Sequence, residues 1–129
     1  MTVFIAIKFR EGKDSETVPV LKEIIKAAGH VPYAFVEEGY IKDESEMMRR
    51  AAVMLDRSGL MVVEASWESF GVGIETGYFY SQRKPIITVF RKGLKVANTL
   101  KGISTWCMEY EDLAELKEKL TAALKNFKA

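Results

Sequence analysis

The stretch LMVVEASWESFGVGIETGYFYSQRKPIITVF, residues 60–90, predicts a strand, a helix and a second strand in succession. Residues 60–66 form a continuous apolar run that ends in polar residues, which is typical of a strand covered on both faces. We expect the helix from about Gly71 to Gln82 and the next strand over residues 84–90. A strand–helix–strand unit of this kind places its two strands in parallel.

The rest of the chain alternates in the same way. Strands are predicted over residues 2–9, 31–37 and 104–110. Helices are predicted from about Ser15 to Ala28, from an N-cap at Asp43 to Gly59, and from about Asp112 to Phe127. This order predicts one α/β domain over residues 1–129, with a doubly wound, flavodoxin-like, five-stranded parallel sheet and helices on both faces.

Composition excludes several classes of partner. The formal net charge is +1 and no long run has one sign, so we expect no nucleic-acid polymer as a partner. The opening MTVFIAIKF is too short to span a bilayer and lacks the features of a secretory leader. With a single cysteine in addition, we expect a cytoplasmic protein with no membrane role.

The scarcity of histidine and cysteine limits the chemistry. Cys107 lies in STWCMEY, which predicts a small buried thiol, and His30 is expected on the surface. With one residue of each type, a zinc site is not expected, and no Ser-His-Asp system can be assembled. We therefore expect neither a metal nor another cofactor.

Ligands of such sheets bind outside the carboxyl ends of the strands, here residues 7–13, 37–43, 65–75 and 91–99. Within 65–75, Ser69 offers an N-cap oxygen and a hydroxyl donor, and the helix N-terminus favours an anion. Gly71 and Gly73 allow close approach of a ligand, or else close packing of helix on strand. Glu75 follows about one turn later and is expected to be ionised, which suits a nucleophile; alternatively, it merely complements the helix dipole.

Residues 62–93 resemble the core of the nucleoside 2-deoxyribosyltransferase superfamily, nearest to its 2'-deoxynucleoside 5'-monophosphate N-glycosidases. The match comprises Glu64, the motif S-x-G-V-G-x-E-x-G from Ser69 to Gly77, and the Lys84-Pro85-Ile86 run. The resemblance implies that Glu75 attacks C1' of the sugar and forms a glycosyl-enzyme, which water or an acceptor base resolves. It also implies that the Ser69–Gly73 loop contacts the 5'-phosphate.

The first strand departs from the family pattern. Where the family has a G-S-I-R-G-like phosphate loop, this chain has AIKFREG, which keeps only the arginine and the last glycine, Arg10 and Gly12. Lys8 and Arg10 are expected to hold a phosphate by charge. The alternative is that both are solvated residues at a strand end.

The second helix departs more seriously, because Ala51 stands where the family has an aspartate that assists the reaction. Asp56 is too far along the helix to replace it, and Glu44 and Glu46 are the remaining acidic candidates. The neighbouring Arg49 and Arg50 are expected on a solvated face.

Further contacts are implied by the resemblance. Asn98 and Thr99 would complete the site from a partner subunit, since sites of this family lie at a dimer interface, so a homodimer is expected. Glu64 and Trp67 are candidates for contacts with the sugar or base, and a plain packing role for Trp67 is the alternative. Tyr78 and its neighbours are expected in the core or at the dimer contact.

The sequence thus predicts an N-glycosidase that cleaves the base–sugar bond of (2'-deoxy)nucleoside 5'-monophosphates through Glu75. The first alternative is a deoxyribosyltransferase that exchanges bases between nucleosides. The second is a nucleotide-binding or sensing module with weak catalysis, which the absence of an aspartate at position 51 favours.

Overall fold

The five strands form one parallel sheet. In the computed structural model, which describes residues 1–10 and 16–128, they are β1 (Thr2–Ile7), β2 (Val31–Ala34), β3 (Leu60–Glu64), β4 (Ile86–Arg91) and β5 (Trp106–Tyr110). Their order is β2-β1-β3-β4-β5, and every neighbouring pair is parallel. The predicted flavodoxin-like, doubly wound sheet is confirmed. The predicted helix start at Ser15, and Gly12 of the first loop, lie outside the described residues.

The helices cover the sheet on both faces. They are α1 (Thr17–Ala27), α2 (Glu44–Arg57), α3 (Phe70–Ser81), α4 (Asn98–Ile103) and α5 (Leu113–Leu124), with a 3-10 turn at Phe35–Glu38. Helices α1 and α5 pack together against one face, and α2 packs beside α3 on the other. The candidate ligand edge therefore has α2 and α3 on one side.

Alternation along the strands explains this two-sided burial. Val3 and Ile5 of β1 belong to the core under α1 and α5, whereas Phe4 and Ala6 belong to the core under α2 and α3. All five residues of β3 are buried, as expected for a central strand whose neighbours occupy both edges and both faces. Position 64, at the end of β3, is consequently a buried site.

The largest differences between the predicted and the observed elements concern β2 and the segment after β4. Strand β2 ends at Ala34 rather than at residue 37, since it is an edge strand that pairs with β1 over only four positions before the 3-10 turn. The VANTLKG segment, predicted as a loop, forms most of α4. Leu100 and Ile103, one turn apart, pack on the same core as Val96, and this contact favours the short helix.

Two burial predictions were wrong. Cys107 is exposed, because β5 is an edge strand and its alternate residues Trp106 and Met108 take the places facing the α5 core. His30 is buried, with its Nδ1 3.4 Å from the amino group of Met1. Burial and then the amino-terminal charge lower the pKa of His30. Both outcomes depend on neighbours that are distant in sequence.

Candidate active site

Helix α3 begins at the carboxyl edge of the sheet, directly after the loop that follows β3. The Ser69 hydroxyl accepts a hydrogen bond from the backbone N–H of Val72 at 3.3 Å, so Ser69 is the predicted N-cap. A Cβ added at Gly71 would meet only the Ser69 hydroxyl, at 3.7 Å, and one added at Gly73 would meet nothing within 4 Å. Close packing of helix on strand therefore does not account for these two glycines, and both stay open to an approaching molecule.

Glu75 lines a cleft between α2 and α3 with a volume of about 580 Å³, which lies within the range of small-molecule sites. Polar and charged side chains alternate with apolar ones in its lining, which comprises Glu44, Ser45, Met48, Arg49, Ala52, Leu55, Ile74, Glu75 and Tyr78. The Glu75 side chain is half-buried. A carboxyl group in this place can meet a bound sugar, and its role as nucleophile stays a prediction.

The surroundings of Glu75 affect its protonation. Burial raises the pKa of Glu75 to about 7. Counted from the Ser69 N-cap, Glu75 is the sixth helical residue, and the first turn of α3 contains no acidic residue. Because the helix dipole acts mainly within the first turn, desolvation outweighs it here. Burial therefore opposes the expected ionisation of Glu75, and the alternative of a first-turn residue that complements the dipole is wrong.

A run of polar contacts extends from this cleft to a neighbouring one. Tyr33 donates a hydrogen bond to Glu38 at 3.0 Å, Glu38 lies 3.8 Å from Arg50, and Glu46 pairs with both Arg50 and Arg49, at 3.3 and 3.0 Å. These side chains line a second cleft of about 340 Å³, and Arg49 lines both clefts.

The electrostatics of the two clefts are linked. The pKa of Tyr33 is raised by burial first, then by its hydrogen bond to Glu38, with smaller contributions from the charges of Glu38 and Glu75. The Glu75 carboxyl therefore lies close enough to Tyr33 to influence its ionisation. The sequence did not single out Tyr33, whose place in β2 predicted only a strand residue.

The acidic residues considered as substitutes for an aspartate at position 51 have different surroundings in the structure. Ala51 is buried, with 1% of its surface exposed. Asp56 accepts hydrogen bonds from the hydroxyl of Tyr78 at 2.8 Å and from Gln82 at 2.7 Å, so it joins α2 to α3. Glu46 is paired with arginines, whereas Glu44 lines the cleft that holds Glu75.

The predicted phosphate ligands lie at the ends of β1 and β3. The guanidinium carbon of Arg10 lies 4.2 Å from the centre of the Trp67 ring, which brings the two loops together. Lys8 is exposed beside them. Lys8, Arg10 and Trp67 lie outside the lining of the Glu75 cleft, and their predicted contacts with phosphate and base stay predictions.

Glu64 is part of a buried hydrogen-bond network. The residue is 3% exposed, and its carboxylate accepts bonds from the backbone N–H of Ser66 at 2.7 Å, from the Ser66 hydroxyl at 2.8 Å and from the hydroxyl of Tyr110. The Ser66 hydroxyl in turn accepts a bond from the backbone N–H of Arg91 at 2.9 Å. This network ties the loop before α3 to β4 and β5. The predicted contact of Glu64 with sugar or base stays a prediction, and both of its oxygens already have protein partners.

Asn98 and Thr99 are exposed on α4, which contacts α3. Neither residue lines the Glu75 cleft within one chain. Within residues 1–10 and 16–128, no group of three or more His, Cys, Asp or Glu side chains could hold a metal ion. The same residues contain no helix with the length and apolar character needed to cross a membrane.

Solved structures share this architecture across almost the whole chain. A CMP N-glycosidase of Clostridium botulinum superposes with a TM-score of 0.76 over 95% of this chain and 99% of its own, at 16% identity. A 2-deoxyribosyltransferase of Bacillus psychrosaccharolyticus gives a TM-score of 0.75 over 96% of each chain, at 14% identity. The fold is therefore of the nucleoside 2-deoxyribosyltransferase-like class.

A relative in sequence agrees with this class. A curated protein of Thermofilum pendens, named as a 2'-deoxynucleoside 5'-phosphate N-hydrolase, is 35% identical over 85 residues. The match covers 61% of this chain and 59% of that protein's length. No protein-family model matches the chain. The resemblance to the nucleoside 2-deoxyribosyltransferase superfamily that the sequence predicts is thus confirmed in both sequence and fold.

Proposed function

We propose that this protein is an N-glycosidase that hydrolyses the base–sugar bond of 2'-deoxynucleoside 5'-monophosphates, with Glu75 as nucleophile. The observation that carries the proposal is the position of the Glu75 carboxyl group, half-buried in a ligand-sized cleft and within the motif that matches the superfamily. The N-hydrolase and N-glycosidase activities named for the similar proteins support the same reaction class.

In this mechanism the ionised form of Glu75 attacks C1' while the bond from C1' to the base breaks. The sugar acquires positive charge in the transition state, which a fixed carboxylate stabilises. Water then releases the sugar phosphate from Glu75. Because burial raises the pKa of Glu75 to about 7, we expect the attacking form to accumulate as the pH rises through that value.

The phosphate would bind where backbone and cations meet at the sheet edge. The N-terminus of α3, with Ser69, Gly71 and Gly73, favours an anion, and the space above both glycines is open. Lys8 and Arg10 supply positive charge beside it. This arrangement favours a monophosphate over an uncharged nucleoside.

A homodimer is the assembly we propose for the active protein. Three side chains at four-residue spacing on α3, Phe70, Ile74 and Tyr78, are 95%, 57% and 39% exposed, and the last two also line the cleft. An apolar stripe of this kind is suited to burial against a second copy. Asn98 and Thr99 of that copy would then complete the site. We further propose that residues 1–129 act as one domain and that the protein is cytoplasmic.

The proposal is tested by incubating purified protein with a panel of nucleosides and their 5'-monophosphates and measuring free base by chromatography. We expect base from 2'-deoxynucleoside monophosphates, and loss of that activity in Glu75→Ala although the variant still folds, which circular dichroism will check. Glu68→Ala, which removes an exposed carboxyl in the loop before α3, is the matched control and should stay active.

The same assay distinguishes the alternatives. Transfer of the sugar to an added second base would identify a deoxyribosyltransferase, the activity named for the similar Bacillus structure. Tight nucleotide binding without released base would identify a sensing module, which the alanine at position 51 favours. Release of base that persists in Glu75→Ala would exclude the proposed nucleophile.

A further inference from the structure

The Glu75 cleft presents one cation to a bound molecule. Among the described residues that line it, Arg49 is the only lysine or arginine. Its Nε and Nη2 atoms donate to the same oxygen of Glu46, at 3.2 and 3.0 Å, so the guanidinium group is held in one orientation. Its remaining N–H groups stay available, since the side chain is 64% exposed. The sequence predicted only a solvated residue here.

The proposed reaction needs a group of this kind. When the bond from C1' to the base breaks, the electron pair leaves with the base, and a proton or a positive charge must compensate for it. The superfamily pattern would supply an aspartate from α2, but this chain has the buried Ala51 there, and Asp56 is bonded to Tyr78 and Gln82. The leaving base therefore lacks the expected helper.

Glu44 is the only other α2 side chain in the cleft with an ionisable group. It lies in the first turn of α2. Its carboxyl group has no hydrogen bond or ion pair to any residue that the structure describes, so no such contact orients it. Arg49 is oriented by Glu46 and permanently charged, which suits it better to stabilise a leaving base.

We infer that Arg49 is a catalytic residue of this site, whose guanidinium group donates hydrogen bonds to the departing base and stabilises the negative charge on it. The inference rests on the proposed function and replaces acid catalysis by electrostatic stabilisation of the leaving group.

The steps balance without a general acid. A Glu75 carboxylate oxygen forms a bond to C1' as the bond from C1' to the base nitrogen breaks, and the electron pair stays on the base beside Arg49. Water then attacks C1', the bond to Glu75 breaks, and the electron pair returns to the carboxylate. The proton released by water goes to the base anion, so the products are the free base and the sugar phosphate.

The test compares leaving groups. The preferred monophosphate from the substrate panel is assayed beside an analogue with a halogen on its base, which withdraws electrons and makes the base a better leaving group. We expect Arg49→Ala to lower kcat by about 100-fold for the unmodified substrate, as for loss of one transition-state donor, and by markedly less for the halogenated one. Free guanidinium ion should restore part of the loss.

Arg50→Ala is the matched control. Arg50 pairs with the same Glu46 and is similarly exposed, but it lines only the second cleft. We expect its variant to keep the ratio of rates for the two substrates. Since Arg49 is exposed, its variant should fold, which circular dichroism and thermal unfolding will check.

The outcomes separate this inference from the proposed function. Equal losses on both substrates in Arg49→Ala, or no loss, would overturn the role of Arg49 while leaving the glycosidase in place. A selective loss in Glu44→Gln instead would assign the role to an acid. If wild-type protein releases no base from any substrate, the proposed function fails and the inference fails with it.

Discussion

The hydroxyl of Tyr110, at the end of β5, donates a hydrogen bond to the buried carboxylate of Glu64, at the end of β3. The two residues are separated in the sheet by β4, whose Arg91 donates its backbone N–H to Ser66 in the same network. The loop that leads from β3 to α3 is therefore held from two neighbouring strands. Because this loop carries Ser69, the network contributes to the position of the α3 N-terminus.

Replacing Tyr110 by phenylalanine should destabilise the fold. The variant keeps the ring in the core but removes one donor from a buried carboxylate, and we expect the free energy of unfolding to fall by about 1–3 kcal/mol. Urea unfolding measures the change. Tyr40→Phe, at a residue that is 91% exposed, is the control and should leave stability unchanged. Equal stability of both variants would show that Tyr110 contributes only packing.

Glu75 should lower the stability of the folded protein at neutral and higher pH. The folded state keeps the Glu75 proton up to a pKa of about 7, whereas the unfolded chain releases it near the ordinary value of 4.5. Stability is therefore lost as the pH rises between these values, by roughly 3 kcal/mol in total, and the cost is constant above pH 7.

Glu75→Gln removes this cost, so its advantage over wild type should be absent near pH 4, grow up to about pH 7 and then stay level. Urea unfolding at several pH values provides the measurement. Glu68→Gln, which makes the same substitution at an exposed side chain, is the matched control. A Glu75→Gln advantage that is the same at pH 4 and pH 8 would contradict the burial of the charge.

Arg10 and Trp67 should act as a pair on the phosphate of the substrate. Arg10→Ala is expected to raise KM for a monophosphate by roughly tenfold and to leave KM for the matching nucleoside unchanged. Trp67→Leu should raise KM for the monophosphate by a smaller factor, because the ring lies against the guanidinium group. In the double variant, the loss of binding free energy should be smaller than the sum of the losses in the two single variants. Lys26→Ala, at an exposed cation on α1, is the control. Fully additive effects would indicate that Trp67 does not orient Arg10.

A charge at Phe70 should prevent self-association. Phe70 is 95% exposed on α3, and an aspartate there would be costly to bury in an apolar contact between two copies. We expect light scattering after size exclusion to show a dimer for wild type and a monomer for Phe70→Asp, with reduced activity. Tyr40→Asp should remain a dimer. A monomeric wild-type protein over the whole working range of concentration would contradict the homodimer.

Local sequence determined the elements well, because the relevant forces act over a few residues. Asp43, Ser69 and Asp112 were predicted to begin their helices, and each side chain accepts backbone N–H groups there. The run of residues 60–66 predicts a strand covered on both faces, and all five residues of β3 (Leu60–Glu64) are buried. Such signals do not depend on the rest of the fold.

The same reasoning could not locate the surroundings of the site. The cleft lining joins Arg49 from α2 to Glu75 from α3, and their meeting depends on how those helices pack on the sheet. No pattern in α2 distinguished Arg49 from Arg50, which are adjacent in sequence and equally charged. The burial predictions for His30 and Cys107 were wrong for a related reason, since the exposure of each residue depends on segments far away in the chain.

By itself, the amino-acid sequence determined the order of strands and helices, the parallel sheet, and the start of α3 at Ser69, because these follow from periodicity and helix caps. Only the tertiary structure decided three further properties: the raised pKa of Glu75, the hydrogen bond from Tyr110 to Glu64, and the presence of Arg49 and Glu75 in one cleft. Those properties arise from desolvation and from contacts between distant segments, which exist only after the helices have packed on the sheet.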